Sequence, residues 1–177
     1  MQFSTLFTIA SSLFTLSQAR KVQLYVTSED FLEDGIFLKG LTAVHEGAGF
    51  DFALADFGTN YTVFNYFENN GTLSRTTTIN IDQEVEWPLS VAESFNYPYL
   101  SVGVIGSEAN WTIADDGQLK SVDGLNFYLA QNTSDPYNYT GYDKWAVGAA
   151  LNTSEFEGKV GNLRKAGIYA RDVYHFP

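Results

Sequence analysis

Apolar and polar residues alternate with a period of two along most of this chain, and this pattern limits it to β-structure. Such alternation places every second side chain on the buried face of a strand. The apolar positions are Val22, Leu24 and Val26; Phe50, Phe52 and Leu54; Val85, Trp87, Leu89 and Val91; Leu100, Val102 and Val104; and Leu125, Phe127 and Leu129. Convincing helical periodicity is absent. The sequence therefore predicts an all-β protein.

Turn signals separate these stretches. The dipeptides Asp34-Gly35, Asn70-Gly71, Asp116-Gly117 and Asp123-Gly124 favour the positive φ values of tight hairpins. The segment Glu46-Gly47-Ala48-Gly49 lacks the Lys-Ser/Thr of a phosphate-binding loop, so it predicts a turn between strands. Hairpins imply antiparallel pairing.

A faint internal repeat narrows the architecture. Residues 63–73 and 110–119 both contain an aromatic strand, an acidic or amide turn with glycine, and then a leucine. A degenerate third copy begins near Phe31. Three such units predict a β-trefoil-like barrel, whereas two fit a β-sandwich equally well. We expect a single compact antiparallel domain and place the trefoil-like barrel ahead of the sandwich.

The first nineteen residues have the pattern of a secretory signal peptide. An apolar stretch from Leu6 to Leu16 is followed by Ser17-Gln18-Ala19, with small residues at both recognition positions. We therefore expect a leader over 1–19 and a single domain over 20–177. No later segment approaches the ~18 consecutive apolar residues of a membrane span, so a secreted protein is expected.

N-glycosylation sequons support the same interpretation. The pattern Asn-x-Ser/Thr is typical of secreted glycoproteins, in which each occupied asparagine lies on the surface. The six sequons begin at Asn60, Asn70, Asn110, Asn132, Asn138 and Asn152.

The charge balance excludes several classes of function. The chain has 21 Asp and Glu residues against 10 Lys and Arg, a formal net charge of −11. Such an acidic surface repels phosphate backbones, so nucleic acid is excluded as a partner. Without cysteine there are no disulfides, thiolate zinc sites or thiol nucleophiles. His45-Glu46 does not continue to a second histidine as in an HExxH site, and we expect neither metal nor cofactor.

Candidate catalytic groups are few. A Ser-His-Asp triad would need His45 or His175, but we interpret His45 as a turn or packing residue, and His175 lies near the end of the chain. Three carboxylate pairs are candidates for acid–base chemistry. They are Asp51 with Asp56, Glu84 with Glu86, and Asp115 with Asp116.

Each pair also has a structural interpretation. Glu84 and Glu86 alternate with the core-facing Val85 and Trp87, so both should point to solvent. Turn chemistry explains Asp115 and Asp116. We therefore expect no catalytic site.

Tyrosines are the more informative surplus. Tyrosine rings can stack on sugars, and tyrosine is polar enough to remain exposed in loops. Two tyrosine-rich segments suggest candidate glycan contacts, at Tyr97, Tyr99, Tyr137, Tyr139 and Tyr142. The alternative is that a cysteine-free domain uses these rings in its core.

Several motifs resemble small secreted cell-wall mannoproteins of Candida-type yeasts. The segments are 22–26 (Val-Gln-Leu-Tyr-Val), 44–49 (Val-His-Glu-Gly-Ala-Gly), 110–119 (Asn-Trp-Thr-Ile-Ala-Asp-Asp-Gly-Gln-Leu) and 126–137, which begins Asn-Phe-Tyr. The spacing W-x-I-x-x-x-G-x-L is similar to that in the C-terminal domain of PIR wall proteins. The resemblance implies a structural or surface role in the fungal wall, glucan or chitin as a polysaccharide partner, and no enzymatic activity.

The chain also departs from that family. Relatives often carry cysteine near the positions of Leu129, Ala130 and Phe156, so the family's disulfide is lost here. Many end in a glycosylphosphatidylinositol signal, whereas this sequence ends with charges throughout, and no anchor is predicted. PIR proteins link to glucan through an Asp-Gly-Gln element. We interpret Asp116-Gly117-Gln118 as a hairpin turn instead.

These patterns lead to one expectation and two alternatives. The first is a secreted, N-glycosylated, non-catalytic protein of the fungal cell wall or extracellular medium, with a structural or adhesion role. The second is a lectin-like module that binds wall or host glycans through loop tyrosines. The third, which we favour least, is a secreted glycoside-active enzyme that uses a carboxylate pair.

Overall fold

The computed structural model describes residues 19–28, 38–47, 49–56, 61–93, 96–133, 138–141 and 144–173. These residues form thirteen strands and two short 3-10 turns, Tyr139–Gly141 and Thr153–Phe156. The strands are β1 (Arg20–Thr27), β2 (Lys39–Gly47), β3 (Phe50–Asp56), β4 (Val63–Phe67), β5 (Thr72–Asn80), β6 (Gln83–Ala92), β7 (Tyr99–Gly103), β8 (Ser107–Glu108), β9 (Trp111–Ile113), β10 (Leu119–Ser121), β11 (Asn126–Gln131), β12 (Trp145–Ala150) and β13 (Asn162–Asp172).

Nine of these strands close into an antiparallel barrel. The pairing runs β1, β4, β5, β6, β7, β3, β12, β11 and β13, and β13 pairs back to β1. Strand β2 pairs with both β1 and β3, while β8 adds to the edge of β6. The ring closes through a long register between β1 and β13, from Val22 opposite Asp172 to Thr27 opposite Gly167.

Side chains that point into the ring form the main core. Alternate residues of each strand reach it, such as Val22, Leu24 and Val26 on β1. Leu89 of β6 and Leu129 of β11 meet them from elsewhere in the ring. The period of two in the sequence therefore corresponds to the inward face of a closed sheet.

A second cluster, the outer core, covers the outside of β3, β11 and β12. It contains Phe52, Leu54, Ala92, Tyr97, Tyr99, Tyr128, Ala130, Ala146, Ala150 and Phe156. Phe156 lies on Gly148, where an added Cβ would come within 2.6 Å of its ring. Strand β12 is consequently buried on both faces, which explains its run of small and apolar residues.

A separate hairpin, residues 111–121, closes one end of the ring. Strands β9 and β10 pair only with each other among the described residues, and we call them the plug hairpin. Trp111 inserts into the main core with none of its surface exposed, 5.8 Å from Phe127 between ring centroids. At the turn, Asp116 Oδ1 accepts from the backbone N–H of Gln118 at 2.9 Å, and Gly117 has φ of 85°.

The structure confirms the compact antiparallel all-β domain. The two repeated segments are both hairpins, but β4–β5 belongs to the wall of the barrel whereas β9–β10 forms its plug. Their different positions explain why the repeat is faint. Glycines also occupy the predicted turns at Gly71, Gly117 and Gly124, each with positive φ. Asp34-Gly35 and residues 1–18 of the expected leader lie outside the described residues.

Candidate functional site

The end of the barrel opposite the plug hairpin opens into a cavity of about 850 Å³, which we call the mouth. It lies where β2 turns into β3 and where the β5–β6 hairpin ends. Its apolar lining consists of Ala43, Ile79, Val85, Trp87 and Val104. This volume falls within the range of small-molecule sites, which are typically apolar with a few placed polar groups.

Asp51 is the buried charge of the mouth. It precedes Ala53 and Ala55 of the main core on the inward face of β3, and it is 2% exposed. A buried carboxylate needs hydrogen-bonding partners, because desolvation disfavours its charged form. His45 supplies the first, as its Nδ1 lies 3.1 Å from Asp51 Oδ1 across the hairpin pair. The histidine side chain itself is 70% exposed.

Arg75 supplies the second partner. It lies on the inward face of β5, directly opposite Trp87 of β6 and in alternation with the buried Leu73. Its Nη1 donates to Asp51 Oδ2, so both carboxylate oxygens are engaged. Ion pairing and hydrogen bonding together make a charge tolerable at an inward-facing position.

Thr77 follows Arg75 on the same face of β5, opposite Val85. Its hydroxyl oxygen is buried and has no hydrogen-bond partner. Such unpaired groups are uncommon in folded proteins, because the group loses its bonds to water on burial. The mouth therefore contains a polar atom that the fold leaves unsatisfied.

Glu86 lies beside the mouth on the outward face of β6. It accepts hydrogen bonds from Ser74 and Thr76 and from Asn65 Nδ2. Burial alone would raise the pKa of Glu86, but these three donors together hold that pKa below its ordinary value. The carboxylate is therefore ionised and engaged, whereas a general acid at neutral pH needs a raised pKa.

In none of the three carboxylate pairs considered from the sequence do both members line the mouth. Asp51 faces inward, while Asp56 ends β3 and lies 3.3 Å from Lys144 Nζ. Glu84 and Glu86 are both exposed on the outer side of β6, as their alternation with Trp87 predicted. Among the described residues, no group of three His, Cys, Asp or Glu side chains could hold a metal ion.

The aromatic interpretation needs a correction. Tyr97 and Tyr99 are candidate glycan contacts from the sequence, but both are fully buried in the outer core, as the alternative interpretation of these rings as core residues predicts. Their rings lie 5.6 Å apart between centroids, and Phe156 covers Tyr97 at 6.1 Å. Tyr139 is half-buried, with Lys144 Nζ 5.7 Å from its ring. Tyr137 and Tyr142 lie outside the described residues.

The sequon asparagines have surface positions. Asn70, Asn110, Asn132, Asn138 and Asn152 are all exposed, while Asn60 lies outside the described residues. Two of them make local turn contacts. Asn70 Oδ1 accepts from the backbone N–H of Thr72 at 3.1 Å, and Asn152 Oδ1 accepts from the backbone N–H of Ser154 at 3.0 Å. Their Nδ2 atoms, which would carry a glycan, take no part in these bonds.

Sequence reasoning missed the mouth, although part of it was within reach. His45 and Asp51 flank the expected Glu46–Gly49 turn, and the two residues that flank a tight turn face each other across the hairpin. His45 lies in β2 beside this turn, with its side chain 70% exposed and in contact with Asp51. The only sequence signal for Arg75 was a charged residue in alternation with the apolar Leu73, at a position that should face inward. His175 lies outside the described residues.

No protein-family model, curated protein or solved structure matches this chain.

Proposed function

We propose that this is a secreted, N-glycosylated protein of the fungal cell wall or surface, with a structural or adhesion role and no catalytic activity. The observation that carries the proposal is the exposure of all five sequon asparagines among the described residues. An acceptor site that is used must be reachable on the surface. The leader-like segment 1–19 supports the same route, as does the resemblance to yeast wall mannoproteins.

The arrangement of the carboxylates supports a non-catalytic role. Acid–base hydrolysis of a glycoside needs two carboxyl groups that face one substrate, one of them with a raised pKa. In the mouth, Asp51 is engaged by Arg75 and His45. The pKa of Glu86 is lowered instead of raised.

Glycan binding through loop tyrosines is now the weaker alternative. Burial of Tyr97 and Tyr99 removes one of the two segments on which it depended. Among the described residues it rests on Tyr139 alone, which is half-buried. A wall polysaccharide such as glucan or chitin remains the proposed partner of a structural protein.

The proposal can be tested with an internally tagged protein that keeps its own residues 1–19, expressed in yeast. We expect secretion with cleavage after Ala19 and a mobility shift on treatment with endoglycosidase H. Replacement of Asn110 by Gln should reduce that shift by one glycan, whereas replacement of Asn65, an amide on the barrel wall outside any sequon, should leave it unchanged.

Sequential extraction of washed cell walls then locates the protein. Release by glucanase or mild alkali indicates covalent attachment, and recovery in the medium or in hot detergent indicates a non-covalent wall or extracellular glycoprotein. An unglycosylated protein retained inside the cell contradicts the proposal.

A further inference from the structure

We propose that the mouth is a binding site for an uncharged, largely apolar small molecule that carries one hydrogen-bond acceptor, and that Arg75 recognises this acceptor. This inference goes beyond the wall or surface role and does not depend on it. It rests on the walls of the cavity, on its rim, and on the charges at its floor.

The walls favour an apolar body. Trp87, Val85 and Ala43 line the interior of a cavity of about 850 Å³. A ligand that fills this space removes apolar surface from water at roughly 25 cal/mol per Å². A sugar would bring several hydroxyl groups into the cavity, and those that face Trp87, Val85 and Ala43 would lose hydrogen bonds to water without replacement. The lining therefore selects against carbohydrate.

The rim extends this apolar surface outward. Ile79 is 46% exposed, Ile81 is 97% exposed and Val104 is 73% exposed. Ile79 and Val104 line the mouth, and Ile81 lies at the tip of the same hairpin. The other exposed large apolar side chains among the described residues, Val63, Val122 and Leu151, lie elsewhere on the barrel and do not line the mouth. Exposed apolar side chains gathered around an opening are typical of a binding surface.

Arg75 is the group that would bind the hydrogen-bond acceptor of the ligand. Its guanidinium carries five N–H donors, and the contact with Asp51 uses Nη1. Asp51 holds the guanidinium in place inside the mouth, so the remaining donors are oriented before a ligand arrives. A carbonyl, ether or hydroxyl oxygen is the complementary group.

The charges exclude an ionic ligand. The positive charge of Arg75 is already compensated by Asp51. A second anion would lie close to Asp51, beside Glu86, in a protein with a net charge of −11. A cation would offer no acceptor to the N–H donors of Arg75, and its charge would lose its hydration against the apolar walls. An uncharged molecule avoids both costs.

The test uses the purified protein and N-phenyl-1-naphthylamine, an uncharged fluorescent probe that brightens in apolar sites. We expect saturable binding of one probe per chain. Competition with three naphthalenes of similar size then isolates the polar group. We expect 2-acetylnaphthalene to displace the probe at about tenfold lower concentration than 2-ethylnaphthalene, because one hydrogen bond to a charged donor is worth at least ~1.4 kcal/mol. The anion 2-naphthoate should compete less well than 2-acetylnaphthalene.

Two variants locate the site. The double replacement Asp51→Leu with Arg75→Met removes the ion pair without leaving an unpaired charge. It should keep probe binding while abolishing the preference for 2-acetylnaphthalene. Ile79→Ser at the rim should weaken probe binding about fivefold. Its matched control is Val122→Ser, another exposed β-branched residue, immediately after the plug hairpin, which should change the affinity less than twofold.

Four results overturn the inference. They are the absence of saturable probe binding, tighter competition by 2-naphthoate than by 2-acetylnaphthalene, displacement of the probe by laminaritriose, and equal effects of Ile79→Ser and Val122→Ser. None of these results bears on secretion or glycosylation, so the proposed small-molecule site and the proposed wall or surface role can be refuted independently of each other.

Discussion

The two ends of the barrel satisfy their polar groups very differently. At the plug hairpin, Trp111 fills the ring, and its backbone N–H donates to Gly71 O at 2.7 Å while its indole N–H donates to Leu89 O at 3.1 Å. At the mouth, a charged cluster takes the place of a large apolar side chain, and the hydroxyl of Thr77 is buried without a partner.

This difference indicates that the plug end contributes to stability, whereas the mouth is adapted for binding. The plug end follows the rules of a packed core, in which volume is filled and polar atoms are paired. The mouth departs from those rules at positions where a simple apolar substitution would satisfy them. Departures of this kind are expected where a protein loses some stability in order to form a binding site.

The largest loss of stability should come from replacing Trp111, the side chain of the plug hairpin that fills the ring. Trp111→Ala should lower the free energy of unfolding by about 4 kcal/mol, because it leaves a cavity in the main core and removes the hydrogen bond from the indole N–H to Leu89 O. Trp87→Ala, whose ring already borders an open cavity, should lower it by about 2 kcal/mol. Urea denaturation measures both, and equal losses would remove the distinction between the ends.

Breaking the ion pair of the mouth should have the next largest effect. Arg75→Met leaves Asp51 buried with only the exposed His45 as a partner, so we expect a loss of about 2–3 kcal/mol. The control is Asp51→Leu with Arg75→Met, which should recover most of that loss. If the double variant is as unstable as the single one, the contribution of Arg75 lies in its packing and not in its charge.

A smaller effect of opposite sign is expected at Thr77. Thr77→Val replaces an unpaired buried hydroxyl with a methyl group of the same shape, so stability should rise by about 1 kcal/mol. Thr112→Val, at an exposed position of β9, should change it by no more than ~0.3 kcal/mol. Thermal unfolding of the two variants measures the difference, and a loss of stability in Thr77→Val would mean that the hydroxyl is satisfied in solution.

The smallest effect should be the pH dependence of Glu86. Its pKa in the folded protein lies below the ordinary value of 4.5, so its contribution to stability is present above pH 4.5 and is lost as the pH falls through the folded pKa. Because the side chain is exposed, we expect less than ~0.5 kcal/mol. Glu86→Gln should be slightly less stable than the wild type at pH 7, and this difference should shrink as the pH falls below 4.5. The control is Glu84→Gln on the same face of β6. A similar pH-dependent loss of stability in this variant would mean that the effect comes from the net charge of the protein and not from the hydrogen bonds of Glu86.

The sequence predicted much of the barrel wall and little of the mouth. Inward positions such as Leu24, Trp87 and Phe127 followed from alternation alone, since a strand with one buried face repeats every two residues. On β3 the same reasoning was incomplete. Phe52 and Leu54 belong to the outer core, while Ala53 and Ala55 face the ring, because the outer core buries the second face of this strand.

Contacts between distant parts of the chain account for the errors. Tyr97 has the sequence context of an exposed loop tyrosine, but Phe156 covers it from a segment nearly sixty residues away. Arg75 and Asp51 are 24 residues apart and lie on strands that are joined through β6 and β7. Local patterns carry no information about such pairs, whereas His45 and Asp51, joined by one turn, lay within reach of hairpin geometry.

The pairing of β1 with β13 also constrains how the molecule is made. Strand β13 lies between β1 and β11, so it covers an edge of each. Because β13 follows the other twelve described strands along the chain, a nascent chain that contains only those twelve has two open edges, at β1 and at β11. Open edges can pair with other chains, and contacts of such long sequence separation form slowly. The emerging chain is therefore most prone to aggregation immediately before β13 docks.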